Sequence, residues 1–266
     1  MSLWNSTVQF PFAVNLTVYI VLIGIALAGL YFIWRRGRAA GFSFRWSTQD
    51  ILVLAILGVL LEVYDNLIGD QFITPVLKLL PYPDIIHDFA INDLPYMFLL
   101  MVGIALIRKP YVATALVFLN FLLMQLLFPG DKSSALWWPY GIYQGLLVDI
   151  YFVLRGPRVF EKANRQAFAD GLIMGAVRAV PAVTISAVIM GPLLTGDTHT
   201  FGDVVLNGGF NLIGNGLEAA LTAGLAIYIA HSVSRTSTHE VVASPAAQEE
   251  VDVQAALEIN QEGSAS

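Results

Sequence analysis

Carboxylates and amides recur at helical spacing inside otherwise apolar stretches of this sequence. Glu62, Asp65, Asn66 and Gly69 fall at i, i+3, i+4 and i+7, which places them on one helix face. Asn211, Asn215, Glu218 and Thr222 form a second stripe of the same kind. An ionisable group in hydrocarbon costs several kcal/mol unless it is paired or wet. Two stripes carrying three acids therefore predict a cavity. Aromatic and amide groups gather at the same depth: Trp137, Trp138, Tyr140 and Gln144 open one apolar stretch, and Asn92, Asp93 and Tyr96 open another. A pocket with acidic groups and flat aromatic walls suits a small, planar, cationic heteroaromatic solute, held by stacking, cation–π attraction and carboxylate hydrogen bonds. The competing reading is an interfacial aromatic belt with polar groups bonding helix to helix.

Asp149 and Arg178 raise a different question. Asp149 lies about 9 Å from the basic end of its helix at Arg155, and Arg178 about 13 Å from the same side if its helix starts near residue 169. Similar depth and opposite charge predict an ion pair between neighbouring helices, with Gly145, one turn from Asp149, leaving room for it. Gln144 points about 140° away from Asp149, so one helix serves both a pocket and a bridge.

Chemistry of other kinds finds little support. With no cysteine, disulfides, thiolate metal sites and cysteine nucleophiles are excluded. The histidines are His87, His199, His231 and His239; none makes a two-histidine metal spacing. Ser133-Ser134 has no evident base, Glu249-Glu250 falls in the polar tail, and the GxxxxGK[ST] phosphate loop is missing. No catalytic residue, metal, cofactor or nucleic-acid partner is expected of this chain; it does not read as an enzyme.

The elements that must position these groups are membrane helices. Of 266 residues, 56% are apolar and 13% charged, against about 25% charged in a soluble domain. The apolar residues come in blocks about 20 long, the length that crosses a bilayer. Seven helices are predicted, near 11–34, 49–69, 91–107, 111–128, 136–154, 169–194 and 209–231. Basic residues cluster in alternate loops, after the first (Arg35, Arg36, Arg38, Arg45), third (Arg108, Lys109), fifth (Arg155, Arg158, Lys162, Arg165) and seventh (Arg235) helices. Only Lys78 and Lys132 lie opposite. Positive charge marks the cytoplasm, so a multi-pass cell-membrane protein is expected, with its N-terminus outside and its C-terminus inside. The first block lacks a basic leader and a cleavage site, which favours a retained helix. Loop 70–90 is expected at the outer interface, and the acidic tail from Ser232 is expected to be disordered. Asn5-Ser6-Thr7 matches a glycosylation sequon. The expected division is an additional N-terminal helix with its basic loop (1–44), a six-helix membrane core (45–232) and the tail (233–266).

Three strings carry a resemblance: Ile107-Arg108-Lys109-Pro110; Tyr140-Gly141-Ile142-Tyr143-Gln144-Gly145-Leu146 with an acid at 149; and Asp50-Ile51-Leu52-Val53-Leu54-Ala55-Ile56-Leu57-Gly58. Over roughly 45–231 the chain resembles the substrate-binding S-components of energy-coupling-factor (ECF) vitamin transporters, the hydroxymethylpyrimidine/thiamine-type group in particular. The resemblance implies capture of a vitamin or precursor near the outer face, then import driven by a transmembrane T-component and two cytoplasmic ATPases that hydrolyse the ATP. It implies docking through small residues on the first core helix, here Ala55 and Gly58. It also implies a pocket of aromatics and a carboxylate, which Trp137, Trp138, Tyr140, Glu62 and Glu218 supply. The family's usual glutamate after the Gln-Gly pair is Asp149 here, and the N-terminal helix and acidic tail are additions to the pattern. A proton-coupled secondary carrier using Glu62, Asp65 and Glu218, and a structural subunit of a membrane complex, are the other readings.

Overall fold

The computed structural model describes residues 3–79, 93–127 and 134–242. They divide between one compact unit, Met1–Ile227, and a second unit that begins at Tyr228. The chain is an all-α polytopic membrane protein. Its helices are α1 (Phe12–Ala39), α2 (Thr48–Glu62), α3 (Thr74–Leu79), α4 (Leu94–Ile107), α5 (Val112–Leu127), α6 (Trp138–Arg155), α7 (Arg165–Pro181) and α8 (Phe201–Val242). Two π-helical segments interrupt them: Val63–Ile73 joins α2 to α3, and Ala182–Thr195 prolongs α7. Among the described residues, four continuous rods are long and apolar enough to cross a bilayer, Phe12–Ala39, Thr48–Val76, Arg165–Thr195 and Phe201–Val233, while Leu94–Ile107 and Val112–Leu127 are shorter apolar helices.

Local chemistry sets the helix ends. Ser47 and Asp50 cap α2 reciprocally, each side chain taking the other's backbone N–H. Asn164 caps α7 by accepting from the N–H groups of Gln166 and Ala167, both at 3.0 Å. Pro95 and Pro139 occupy first-turn positions of α4 and α6, where a missing N–H costs nothing. Gly156 ends α6 at φ 97°, a conformation that favours glycine. Pro181 and Pro192 flank and enter the second π segment, removing two backbone donors from the regular ladder.

Small residues draw the helices together, as they must where lipid offers no hydrophobic drive. A Cβ on Gly145 would stand 2.3 Å from the Thr114 Cα and 2.5 Å from the Ala113 carbonyl oxygen, so α6 and α5 touch backbone to backbone. Gly175 brings α7 equally close to α8, where a Cβ would meet the Asn215 carbonyl oxygen at 2.0 Å. Helix α1 packs on α6: the Tyr143 hydroxyl donates to the Leu22 carbonyl at 2.7 Å, Tyr111 donates to Leu30 at 2.8 Å and Tyr19 donates to Leu136 at 2.9 Å. A two-residue antiparallel pairing, Thr7 with Thr200 and Val8 with His199, fastens the segment before α1 to the start of α8. The Phe201 N–H extends it, donating to the Ser6 carbonyl at 2.8 Å.

Several expectations change. Asp149 and Arg178 do not pair. Helix α7 starts at Arg165, so Arg178 is about 20 Å along it. It stacks on Tyr96 near the first turn of α4, whereas Asp149 lies beside the chain that follows α4's other end. The Asp149 carboxylate instead accepts from Thr114 N–H at 2.7 Å, the Thr114 hydroxyl at 2.6 Å and Ala113 N–H at 3.3 Å. It thus satisfies donors at the start of α5 that the helix itself leaves free. Gly145 makes room for that helix start, not for an arginine. Gly58 is no free docking surface, because a Cβ there would stand 2.4 Å from Leu119 Cδ2 on α5; Ala55, one turn earlier, is exposed. Within the expected 70–90 loop, 70–79 is helical, and 80–92, with His87 and Asn92, lies outside the described residues. Helix α8 continues to Val242, beyond the expected start of a disordered tail at Ser232; no glycine or proline interrupts that stretch, so an established helix propagates through it. Residues 243–266 lie outside the described residues.

Candidate functional site

Five rods close around a polar cavity of about 220 Å³. It lies at the end of the bundle opposite the Arg108 and Arg155 turns. The π segment after α2 contributes Asp65 and Asn66; Asp93 and Tyr96 come from the start of α4; Asn120, Phe121 and Met124 come from α5; Tyr140 and Gln144 come from α6; Arg178 comes from α7. A π turn holds more residues than an α turn, and such turns recur at functional sites. Here the wider winding carries Asp65 and Asn66 into the wall.

Arg178 organises the charge. Its guanidinium lies 4.2 Å from the centre of the Tyr96 ring. One Nη donates to the Asn215 side-chain oxygen at 2.5 Å, and Asp93 stands 3.9 Å away. Its buried Nε has no acceptor among the described residues. Asp65 also lies within electrostatic range of the guanidinium. Two wall carboxylates against one guanidinium leave the cavity acidic, with amides and aromatic faces between them. Such a wall can hold a small polar solute that offers donors or positive charge to the acids and a flat face to the rings.

Of the residues predicted from sequence, the cavity brings together Asp65, Asn66, Tyr96, Tyr140 and Gln144. Glu62 stands behind the wall. It is buried and accepts from the Asn66 amide at 2.9 Å and the Asn120 amide at 2.8 Å, orienting both. Asn120 in turn lies 3.5 Å from the Tyr96 hydroxyl. Trp137 is buried and meets the Tyr140 ring edge-on at 6.3 Å, supporting it from outside the lining. Trp138 belongs elsewhere: 39% exposed, it donates to Gln125 at 2.9 Å and lines an apolar groove between α1 and α6. Trp137 closes a 3-10 turn, Ala135–Trp137, and Trp138 is the first residue of α6, so the two adjacent tryptophans point to different sides.

The second stripe also divides. Asn211 lines a separate cavity of about 170 Å³ between α8 and the second π segment. Asn215 is fully buried and donates to the Asn211 side-chain oxygen at 3.0 Å while accepting from Arg178. Glu218 is 6% exposed, and neither carboxylate oxygen meets a donor among the described residues; it is not part of the lining. The Arg178 cavity therefore opens among α2, α4, α5, α6 and α7, not between α2 and α8 as two facing acid stripes would require.

Sequence reasoning missed Asn120 and its neighbours on α5. The signal existed: Asn120 and Gln125 are amides inside the largely apolar run 112–127, and a polar group in a span deserves the same scrutiny as an acid. Among the described residues no group of three His, Asp or Glu is placed to hold a metal ion. No family model, curated protein or solved structure matches the chain.

Proposed function

We propose that this protein is a solute-capturing membrane subunit, an S-component-like partner in ATP-driven uptake of a small vitamin or vitamin precursor of the thiamine/hydroxymethylpyrimidine kind. One observation carries the reading: an acidic, aromatic-walled cavity sits inside a membrane protein whose remaining interior is largely apolar. Gathering the half-buried Asp65, Asp93 and Arg178 together serves no packing purpose that apolar residues would not serve better. The basic loops at the opposite end favour the cytoplasm for that end, which supports an outward-facing cavity. Transport would rest on a transmembrane T-component and two ATPases, which this chain meets through its lipid-exposed surface; exposed Ala55 stays available for that contact and Gly58 does not.

A proton-coupled carrier is the second reading, favoured by Glu218, whose buried carboxylate meets no hydrogen-bond donor among the described residues. One experiment separates the two. Native mass spectrometry of the purified protein should reveal a co-purified small heteroaromatic solute, and uptake in cells should require ATPase partners. Uptake by this chain alone in proteoliposomes, driven by a proton gradient, would overturn the subunit reading in favour of the carrier.

A further inference from the structure

Helix α8 carries polar residues every turn from its start to mid-membrane: Asp203, Asn207, Asn211, Asn215, Glu218 and Thr222. Asp203 has a local role, accepting from the Thr200 N–H and hydroxyl at the helix start. The Asn207 and Asn211 amides have no such capping role, Asn211 accepting instead from Asn215, and an amide facing lipid is costly. Both line the cavity between α8 and the second π segment, whose other wall is made by the small residues Ala182 and Ala187. At Gly208 the two elements are in close contact, since a Cβ there would stand 2.6 Å from Val183. The inner limit of this space is a short hydrogen-bonded chain. Asn211 accepts from Asn215, and Asn215 accepts from Arg178, which lines the solute cavity. One amide side chain, Asn215, thus links a lining residue of each space.

We propose that the cavity between α8 and the second π segment is a wet access vestibule, through which a small polar solute reaches the Arg178 cavity, with Asn215 as the gate. The chemistry fits a solute carrying both donors and acceptors. Asn207 and Asn211 offer amides in succession, and rotation of the Asn215 amide would release one guanidinium donor to the arriving molecule. This inference rests on the reading of the Arg178 cavity as a solute site.

The absence of cysteine makes the test direct. Single cysteines at Asn207, Asn211 and Met124, and at lipid-facing Ile213 and Leu217, would be treated in nanodiscs with a cationic, lipid-insoluble methanethiosulfonate. Circular dichroism and gel filtration would verify folding. Asn207→Cys and Asn211→Cys should react at least about tenfold faster than Ile213→Cys and Leu217→Cys. Met124→Cys reports on the solute cavity, and adding Asn211→Trp should slow its reaction by about tenfold. Reaction of Met124→Cys at an unchanged rate despite the tryptophan would overturn the vestibule while leaving the solute cavity standing. A Met124→Cys thiol as inert as the lipid-facing controls would overturn both. Should Asn211→Trp fail to fold, Ala187→Phe plugs the opposite wall and is read in the same way.

Discussion

Replacing Asp149 by alanine removes the acceptor for two backbone N–H groups at the start of α5, in a position only 2% exposed. Each buried donor left without a partner costs about 1–3 kcal/mol, so the pair costs about 2–6 kcal/mol. For a chain of this size that lowers the melting midpoint by about 5–20 °C. Asp149→Asn retains one acceptor oxygen and should lose roughly half as much. Thermal unfolding in detergent, followed by circular dichroism, reads both. Double-mutant cycles then identify the partner. Asp149→Ala combined with Thr114→Val should be less than additive, because the hydroxyl and the carboxylate bond each other at 2.6 Å. Asp149→Ala combined with Arg178→Met should be additive within about 0.5 kcal/mol, as for separated sites. A coupling energy above about 1 kcal/mol between positions 149 and 178 would restore the ion pair and refute the capping argument.

Arg178→Lys should reduce the co-purified solute several-fold in native mass spectra, because an ammonium cannot both lie flat on Tyr96 and reach Asn215. Gly145→Ala should cost at least about 1–3 kcal/mol, since backbone atoms of α5 must move. Gly24→Ala, with nothing within 4 Å, should be neutral or stabilise by up to about 1 kcal/mol, and melting curves of the two variants provide the contrast. Ala55→Trp should insert and bind solute normally, whereas Gly58→Trp should fail to yield folded protein by gel filtration, because Leu119 fills its space.

The helices were legible because apolar runs of membrane length have few other uses, and the basic loops supplied their order. The cavity was half legible. Asp65, Asn66, Tyr96, Tyr140 and Gln144 announce themselves as polar or aromatic groups within spans. What sequence could not supply was azimuth and exact start. A four-residue difference in where α7 begins moved Arg178 by about 6 Å, enough to replace one partner set with another. Ideal α-helical spacing placed Glu62 and Asp65 on one face, but the winding changes at Val63, leaving one behind the wall and the other within it. Gly58 was expected to meet a partner because the resemblance implies docking through small residues on that helix; the neighbour proved to be α5 of the same chain.

The short ribbon joining Ser6–Val8 to His199–Phe201 has a consequence for biogenesis. Its two halves lie roughly 190 residues apart in the chain, so the segment before α1 must wait, unlatched, until α8 has been threaded into the membrane. Closing that clasp is a late event, and a nascent chain stalled before residue 199 would hold α1 without its fastening, a natural mark by which quality control could distinguish unfinished copies from complete ones.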